Sequence, residues 1–293
     1  MIWPIIFAIL VPFCWACTYV FDKYLLVHRI KKPISFAVII GLVHLIAGTV
    51  IALFLDWSNV APKDLLFPIL AGILLGFQIY LYVNVLKTED ASEVVGLEYT
   101  YPILIAVLSF IFLKEVIPPM GYLGMAVIIA GVILLSLRFR KVKFESKVWM
   151  IVSLILLIAL TEFFVKVATT EIPEWNGIAL NSITLGITLM FALLNSGVRK
   201  GFTAELRNIP WIAASEVFTF SAAASLYFAM AALPATIVSS IGATEPLMVL
   251  ILERTVQRLT GNLTKDHEII PILVAIAFVV AGVVLMYASG AIQ

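Results

Sequence analysis

Charge is scarce in this sequence. Asp, Glu, Lys and Arg together supply 13% of the 293 residues, about half of what a soluble domain carries. The formal net charge is only +1, which excludes a polybasic nucleic-acid surface and an acidic disordered tail, so no nucleic acid is expected among the partners. There are two cysteines, Cys14 and Cys17. They lie inside one apolar run, where C-x-x-C spacing puts them on neighbouring turns of a helix, and passive packing is the reading they support. The three histidines, His28, His44 and His267, are far apart. No H-E-x-x-H, no G-x-S-x-G and no glycine-flanked catalytic aspartate occurs, so an intramembrane enzyme has no motif to stand on, and neither a cofactor nor a metal is expected. Polar gaps reach about ten residues or so, too short for a separate soluble domain with its own core.

Apolar sequence fills the rest: hydrophobic types reach 62% and mean hydropathy is +1.11. A bilayer core of roughly 30 Å requires about 20 apolar helical residues, because hydrocarbon leaves no partner for exposed backbone polar groups. Runs of that size occur at 3–22, 34–55, 65–86, 92–113, 118–137, 147–167, 176–196, 210–232, 234–254 and 269–289. The expected fold class is therefore all-α, a polytopic membrane protein with ten transmembrane helices. The first run lacks a basic n-region and is longer than a signal-peptide core, so it is read as a retained span.

Ten spans sort the loops into two sides, and the basic residues divide unequally between them. Only Lys63, Lys114 and Lys166 fall on one side; the other 16 of the 19 fall on the opposite side. Because positive loops stay in the cytoplasm, both termini are expected to be extracytoplasmic, in a multi-pass protein of the plasma membrane.

Self-comparison shows an internal repeat. AVIIAGVILL at 126–135 matches AFVVAGVVLM at 277–286 with five of ten positions identical. Thr18 and Lys23 pair with Thr161 and Lys166, Leu81-Tyr82 with Leu226-Tyr227, Ala91 with Ala235 and Pro102 with Pro246, at offsets of 143–145. The halves are 1–145 and 146–293. Five spans per copy is an odd number, so the second copy enters the membrane inverted, the architecture of many secondary transporters.

The stretch 91–135, ASEVVGLEYTYPILIAVLSFIFLKEVIPPMGYLGMAVIIAGVILL, carries a mid-helix proline, a Glu after the fourth span and a glycine-bearing fifth helix: Pro102, Glu115, Gly124 and Gly131. In this the chain resembles the ten-helix EamA-type proteins of the drug/metabolite transporter superfamily. The second copy is looser, with Pro246 and Gly282 but Leu259 where a second Glu is expected. The resemblance implies a single-chain exporter or importer of small metabolites with a central cavity. It also implies cytoplasmic termini, against the charge count.

Ionisable groups inside a bilayer are costly and point to cavities or to each other. Glu98, Glu162, Glu216 and Glu245 are the candidates. Pro102 cannot donate to the carbonyl of Glu98, nor Pro246 to that of Gly242, so both helices are expected to kink near midplane and expose polar backbone beside a carboxylate. Glu98 and Glu245 would bind an amine or exchange a proton, or else brace the bundle by hydrogen bonding. Glu216 lies two turns inside its span, which favours an interfacial structural role. Glu162 and Lys166 stand at i,i+4, the spacing of an intrahelical ion pair. Lys166 and its repeat-mate Lys23 are alternatively a pair of symmetric gate residues, or lysines that snorkel. His44 is either a hydrogen-bonded core imidazole or a proton relay. Gln78, Tyr82 and Tyr227 are candidate ligand-binding groups, or packing. Gly72-x-x-x-Gly76 permits close helix approach within a monomer or across a homodimer. The expected partners are a small-molecule substrate and the lipid bilayer. The rival reading is a non-transporting scaffold or receptor.

Overall fold

The computed structural model describes residues 2–88, 100–138, 148–260 and 269–290. Among them all regular structure is helical. In chain order the helices are α1 (Trp3–His28), α2 (Pro33–Leu53), α3 (Leu66–Thr88), α4 (Tyr101–Leu108), α5 (Pro119–Arg138), α6 (Val148–Glu171), α7 (Glu174–Met190), α8 (Ser196–Glu205), α9 (Ile209–Ala232), α10 (Ala235–Gly242), α11 (Glu245–Thr260) and α12 (Ile269–Ala288). Seven stretches of helix are long and apolar enough to cross a membrane, and three shorter apolar helices, Tyr101–Leu113, Pro119–Gly131 and Leu273–Ala288, join them. The described part of each of the ten apolar runs read from the sequence falls on one of these.

Proline sets many of the starts. It occupies one of the first two positions of α1, α2, α4 and α9, where its missing N–H costs nothing and its φ is already helical. Two features depart from the sequence reading. Residues 197–205, between the seventh and eighth apolar runs, belong to the short polar helix α8 rather than to a loop, because Asn195 caps it by accepting from the backbone N–H groups of Gly197 at 2.8 Å and Val198 at 3.3 Å. The ninth span is interrupted where a kink was expected: α10 stops at Gly242 and α11 restarts at Glu245. Pro246 supplies no N–H to the preceding turn, and the Thr244 carbonyl takes the N–H groups of Leu247 and Met248 instead.

Helix α1 packs along α9, α2 along α7, α3 along α6 and α7, and α5 along α12. Small residues allow these approaches. A Cβ on Gly72 would lie 1.9 Å from Thr184 Oγ1, and one on Gly76 would lie 2.6 Å from Thr188 Cγ2. The G-x-x-x-G motif therefore serves α3–α7 packing within the chain. The perimeter is apolar and uncovered, with Trp3, Phe54 and Trp149 more than 70% exposed, as a lipid-facing surface requires.

One end of the bundle gathers basic loops. The Arg29 guanidinium lies 4.3 Å over the Trp211 ring, the Lys31 backbone N–H donates to Glu205 Oε1 at 2.9 Å and Lys32 Nζ donates to the Gly197 carbonyl at 3.3 Å. This is the basic end. The α9–α10 corner, where α6 also finishes, marks the opposite end.

Candidate functional site

Four long helices present stripes of residues at helical spacing to a shared interior. On α1 the stripe is Val11, Trp15, Tyr19 and Asp22; on α3, Leu75, Gln78 and Tyr82; on α6, Ile158, Thr161, Glu162 and Val165; on α9, Glu216, Thr219, Ala223 and Tyr227. Apart from the adjacent Thr161 and Glu162, successive members lie three or four residues apart, one above another on the same helix face. Between the stripes are two stacked cavities of about 740 and 390 Å³ of non-atom space that share Trp15, Tyr19, Leu75 and Gln78.

The larger cavity is the one toward the opposite end. Its polar lining comes from Gln78, Tyr101, Thr161, Glu162, Asn181, Tyr227 and Glu245, and Gly242 contributes backbone. The break between α10 and α11 is what places Gly242 and Glu245 on this wall. Gly177 on α7 leaves room for the Tyr227 ring, since a Cβ there would lie 2.5 Å from Tyr227 Cε1. Glu162 takes a hydrogen bond from the Tyr101 side chain, and its Oε2 is buried with no hydrogen-bond partner among the described residues. Glu245 is 4% exposed. Among the described residues, no Lys or Arg lines either cavity.

The smaller cavity, toward the basic end, is built around two more carboxylates. Asp22 is 1% exposed and accepts hydrogen bonds from Ser215 Oγ at 2.6 Å and from the Tyr82 hydroxyl at 3.1 Å. Glu216, also 1% exposed, meets His44 Nε2 through Oε2 at 2.9 Å. The His44 ring stacks on Phe220 with centroids 4.4 Å apart. Thr18 and Thr219 bridge α1 and α9 at 3.3 Å, and the Tyr19 ring packs edge-on against Tyr82 at 4.8 Å.

The residues singled out from the sequence are placed as follows. Gln78 faces both cavities, Tyr227, Glu162 and Glu245 the larger, and Tyr82 the smaller. His44 lies behind the smaller cavity, on Glu216. Pro102 and Pro246 are buried at helix starts beside the lining residues Tyr101 and Glu245. Glu98 lies outside the described residues.

Two expectations are corrected. Glu216 is a buried cavity group, not an interfacial one: α9 begins beneath the basic loops, so two turns already carry it inside the bundle. Lys166 does not pair with Glu162. Its Nζ sits 3.2 Å from Glu115 Oε1 and donates to the carbonyls of Met230 at 2.7 Å and Leu233 at 2.9 Å. Three acceptors at the α9–α10 corner match the three donors of an ammonium, so the lysine leans away from its helical neighbour and Glu162 is left to the cavity. Glu115 Oε2 also accepts the Ala235 N–H at 2.9 Å, at the first turn of α10. Lys23 makes the comparable contact at the basic end, where its Nζ donates to the Leu86 carbonyl at 2.9 Å. Lys87 beside it donates to the carbonyls of Leu26 and Ile30.

Asp22, Tyr101 and Asn181 are lining residues that the sequence reading missed. Asp22 stands next to Lys23 near a span end, so it reads as a surface pair. Its signal was positional, since it continues the face of Val11, Trp15 and Tyr19.

A crystal structure of a protein matches over 98% of this chain and 98% of its own length, at 14% identity with a TM-score of 0.64. A likeness at that identity shows a shared fold. A search of the curated proteins finds no match in sequence. Residues 2–137 match the model of the EamA-like transporter family, the stretch that carries Pro102, Glu115, Gly124 and Gly131.

Proposed function

We propose that this chain transports small amine-bearing or cationic metabolites across the membrane by alternating access around the larger cavity. The observation that carries the reading is that Glu162, whose Oε2 is buried, and Glu245, 4% exposed, both line this cavity, with no Lys or Arg among its described lining residues. Such a site attracts a cation and repels an anion. Trp15, Tyr19 and Tyr101 add aromatic faces on which an ammonium gains further by cation–π attraction. Gln78 and Asn181 supply neutral hydrogen-bonding groups that fix orientation.

The two-state mechanism rests on reading 1–145 and 146–293 as inverted five-helix copies. Several contacts support that reading. Lys23 donates to the Leu86 carbonyl near the basic end and Lys166 to the Met230 carbonyl near the other, partners whose numbers differ by 143 and 144. Gly41 and Gly186, 145 apart, face one another: a Cβ on either would approach the other's carbonyl within about 3 Å. The packing of α1 on α9 is matched by that of α6 on α3, as exchange of the copies requires. The two lysine contacts would then loosen alternately and open one end at a time.

The test is uptake by proteoliposomes containing the full chain, across a panel of amines, amino acids, organic cations and sugar phosphates. Flux of one or more cation-bearing compounds is expected, and Glu162→Gln or Glu245→Gln lowers it at least about tenfold, roughly 1.4 kcal/mol of lost transition-state stabilisation. Absence of flux across the panel rejects transport. Flux of sugar phosphates alone rejects the cation site.

A further inference from the structure

The polar helix α8 lines neither cavity, and its two faces differ. On the inner face Gly201 and Glu205 are buried and Phe202 packs onto the core. On the outer face Arg199 and Lys200 are exposed, as is Arg207 just beyond the helix end. None of these three side chains has an ion-pair partner among the described residues.

The inner face is locked to the turn between α1 and α2. A Cβ on Gly201 would lie 2.4 Å from Ser35 Oγ and 2.8 Å from Lys32 Cδ, so the helix comes as close to that turn as glycine permits. Lys32 Nζ reaches the Gly197 carbonyl at 3.3 Å, and the exposed side chains of Lys31 and Lys32 therefore share one corner with those of α8. The carboxylate of α8 does not offset them outwardly. Glu205 is 4% exposed and already accepts from the Lys31 N–H at 2.9 Å and from Asn208 Nδ2 at 2.6 Å.

Apolar side chains edge this basic corner. Phe191 is 64% exposed, Leu194, next to the Asn195 cap, 83%, and Trp211, beneath the Arg29 guanidinium, 45%. Uncompensated cations beside exposed apolar groups are the profile of a helix lying at the membrane surface, with Trp at headgroup level. A soluble anion would engage the cations and leave the apolar edge in water. An anionic phospholipid satisfies both, because Arg and Lys meet its phosphate while its chains cover the edge.

We propose that this corner is a binding site for an anionic phospholipid, its headgroup held between the outer face of α8 and the α1–α2 turn and its acyl chains lying along Phe191 and Leu194. The bound lipid bridges segments distant in sequence and stabilises the basic end. The site stands independently of the transport reading.

Native mass spectrometry of the full chain in neutral detergent, titrated with phosphatidylglycerol or with phosphatidylcholine of the same acyl chains, reads the site directly. Phosphatidylglycerol is expected to bind at least about tenfold more tightly, a modest yield for several basic contacts. The triple variant Arg199→Gln, Lys200→Gln, Arg207→Gln is expected to lose that preference. So is the double variant Lys31→Gln, Lys32→Gln, since each removes one side of the site. Lys63→Gln, exposed in the connection between α2 and α3 at the opposite end, is expected to keep it. Equal binding of the two lipids overturns the proposal, as does a preference that the triple and double variants retain. Glycerol phosphate, an anionic phosphate without chains, is expected not to bind at the concentrations where the lipid does. Binding as tight as the lipid's makes the corner a soluble-anion site and overturns the lipid. Melting temperatures give a second reading. Without added lipid all the variants are expected to melt like wild type, because the substituted side chains are exposed, and phosphatidylglycerol raises the wild-type value alone among wild type, triple and double variants. An equal rise in the triple variant overturns the site.

Discussion

Lys166 ties three chain segments together. Its ammonium joins the Glu115 carboxylate to the carbonyls of Met230 and Leu233, and the side chains of the ion pair are 10% and 16% exposed. Removing one partner of a buried pair leaves the other charge uncompensated, a change of about 3 kcal/mol or more. Lys166→Met is therefore expected to lower unfolding stability by that order in detergent, and Glu115→Gln by less, because the amide oxygen still accepts from Ala235. Thermal unfolding of the singles and the double variant checks this: if the pair is coupled, the double costs less than the sum. A contribution from Glu162 would instead appear as coupling between Glu162→Gln and Lys166→Met, and none is expected. Sequence spacing pointed to the i,i+4 partner because it registers only neighbours on one helix. The true partner comes from a segment about fifty residues earlier, which no helical period reveals. His44 and Glu216 teach the same lesson: each was visible as an ionisable group in an apolar run, but their hydrogen bond joins α2 to α9.

At the level of elements the sequence was most informative, since the described parts of the ten apolar runs fall on seven long apolar stretches of helix and three shorter ones. Composition decides this, because a run of twenty apolar residues has no other way to satisfy its backbone in lipid. What composition could not decide is where a helix pauses. The stop at Gly242 and restart at Glu245 depend on Pro246 together with a Thr244 carbonyl that accepts two N–H groups, and they bring Glu245 to the cavity. The helix α8 escaped notice because its stability comes from the Asn195 cap and a polar surface rather than from hydropathy. The glycines of α3 give an element-scale prediction. A methyl group on Gly72 meets Thr184 Oγ1 and the Asn181 carbonyl, so Gly72→Ala is expected to destabilise by about 1–3 kcal/mol through overpacking. Because the contact lies between α3 and α7 of one chain, light scattering should show no change in oligomeric state. A shift in oligomeric state at unchanged stability would return the motif to a dimer interface.

The whole molecule poses the question of which end faces the cytoplasm. Basic loops distant in sequence meet at one end, where Arg29 stacks on Trp211 and Lys31 and Lys32 reach Glu205 and Gly197. Among the described residues, Arg29, Lys31 and Lys32, three of the 16 basic residues sorted to one side, meet the α8–α9 region at this end. Retention of positive charge on the cytoplasmic side would place that end inside and both termini outside, opposite to the orientation the family resemblance implies. Two exposed positions decide between them: Ser58, in the connection between α2 and α3, and Thr203 on α8. Cys14 is buried and Cys17 half-buried within α1, so the native thiols are poor targets for a membrane-impermeant maleimide. Ser58→Cys is expected to label in intact cells, whereas Thr203→Cys labels only after the membrane is opened. The reverse pattern would invert the molecule and put Asp22 and Glu216 on the outer half of the path. Glu162 and Glu245 would then face the cell interior.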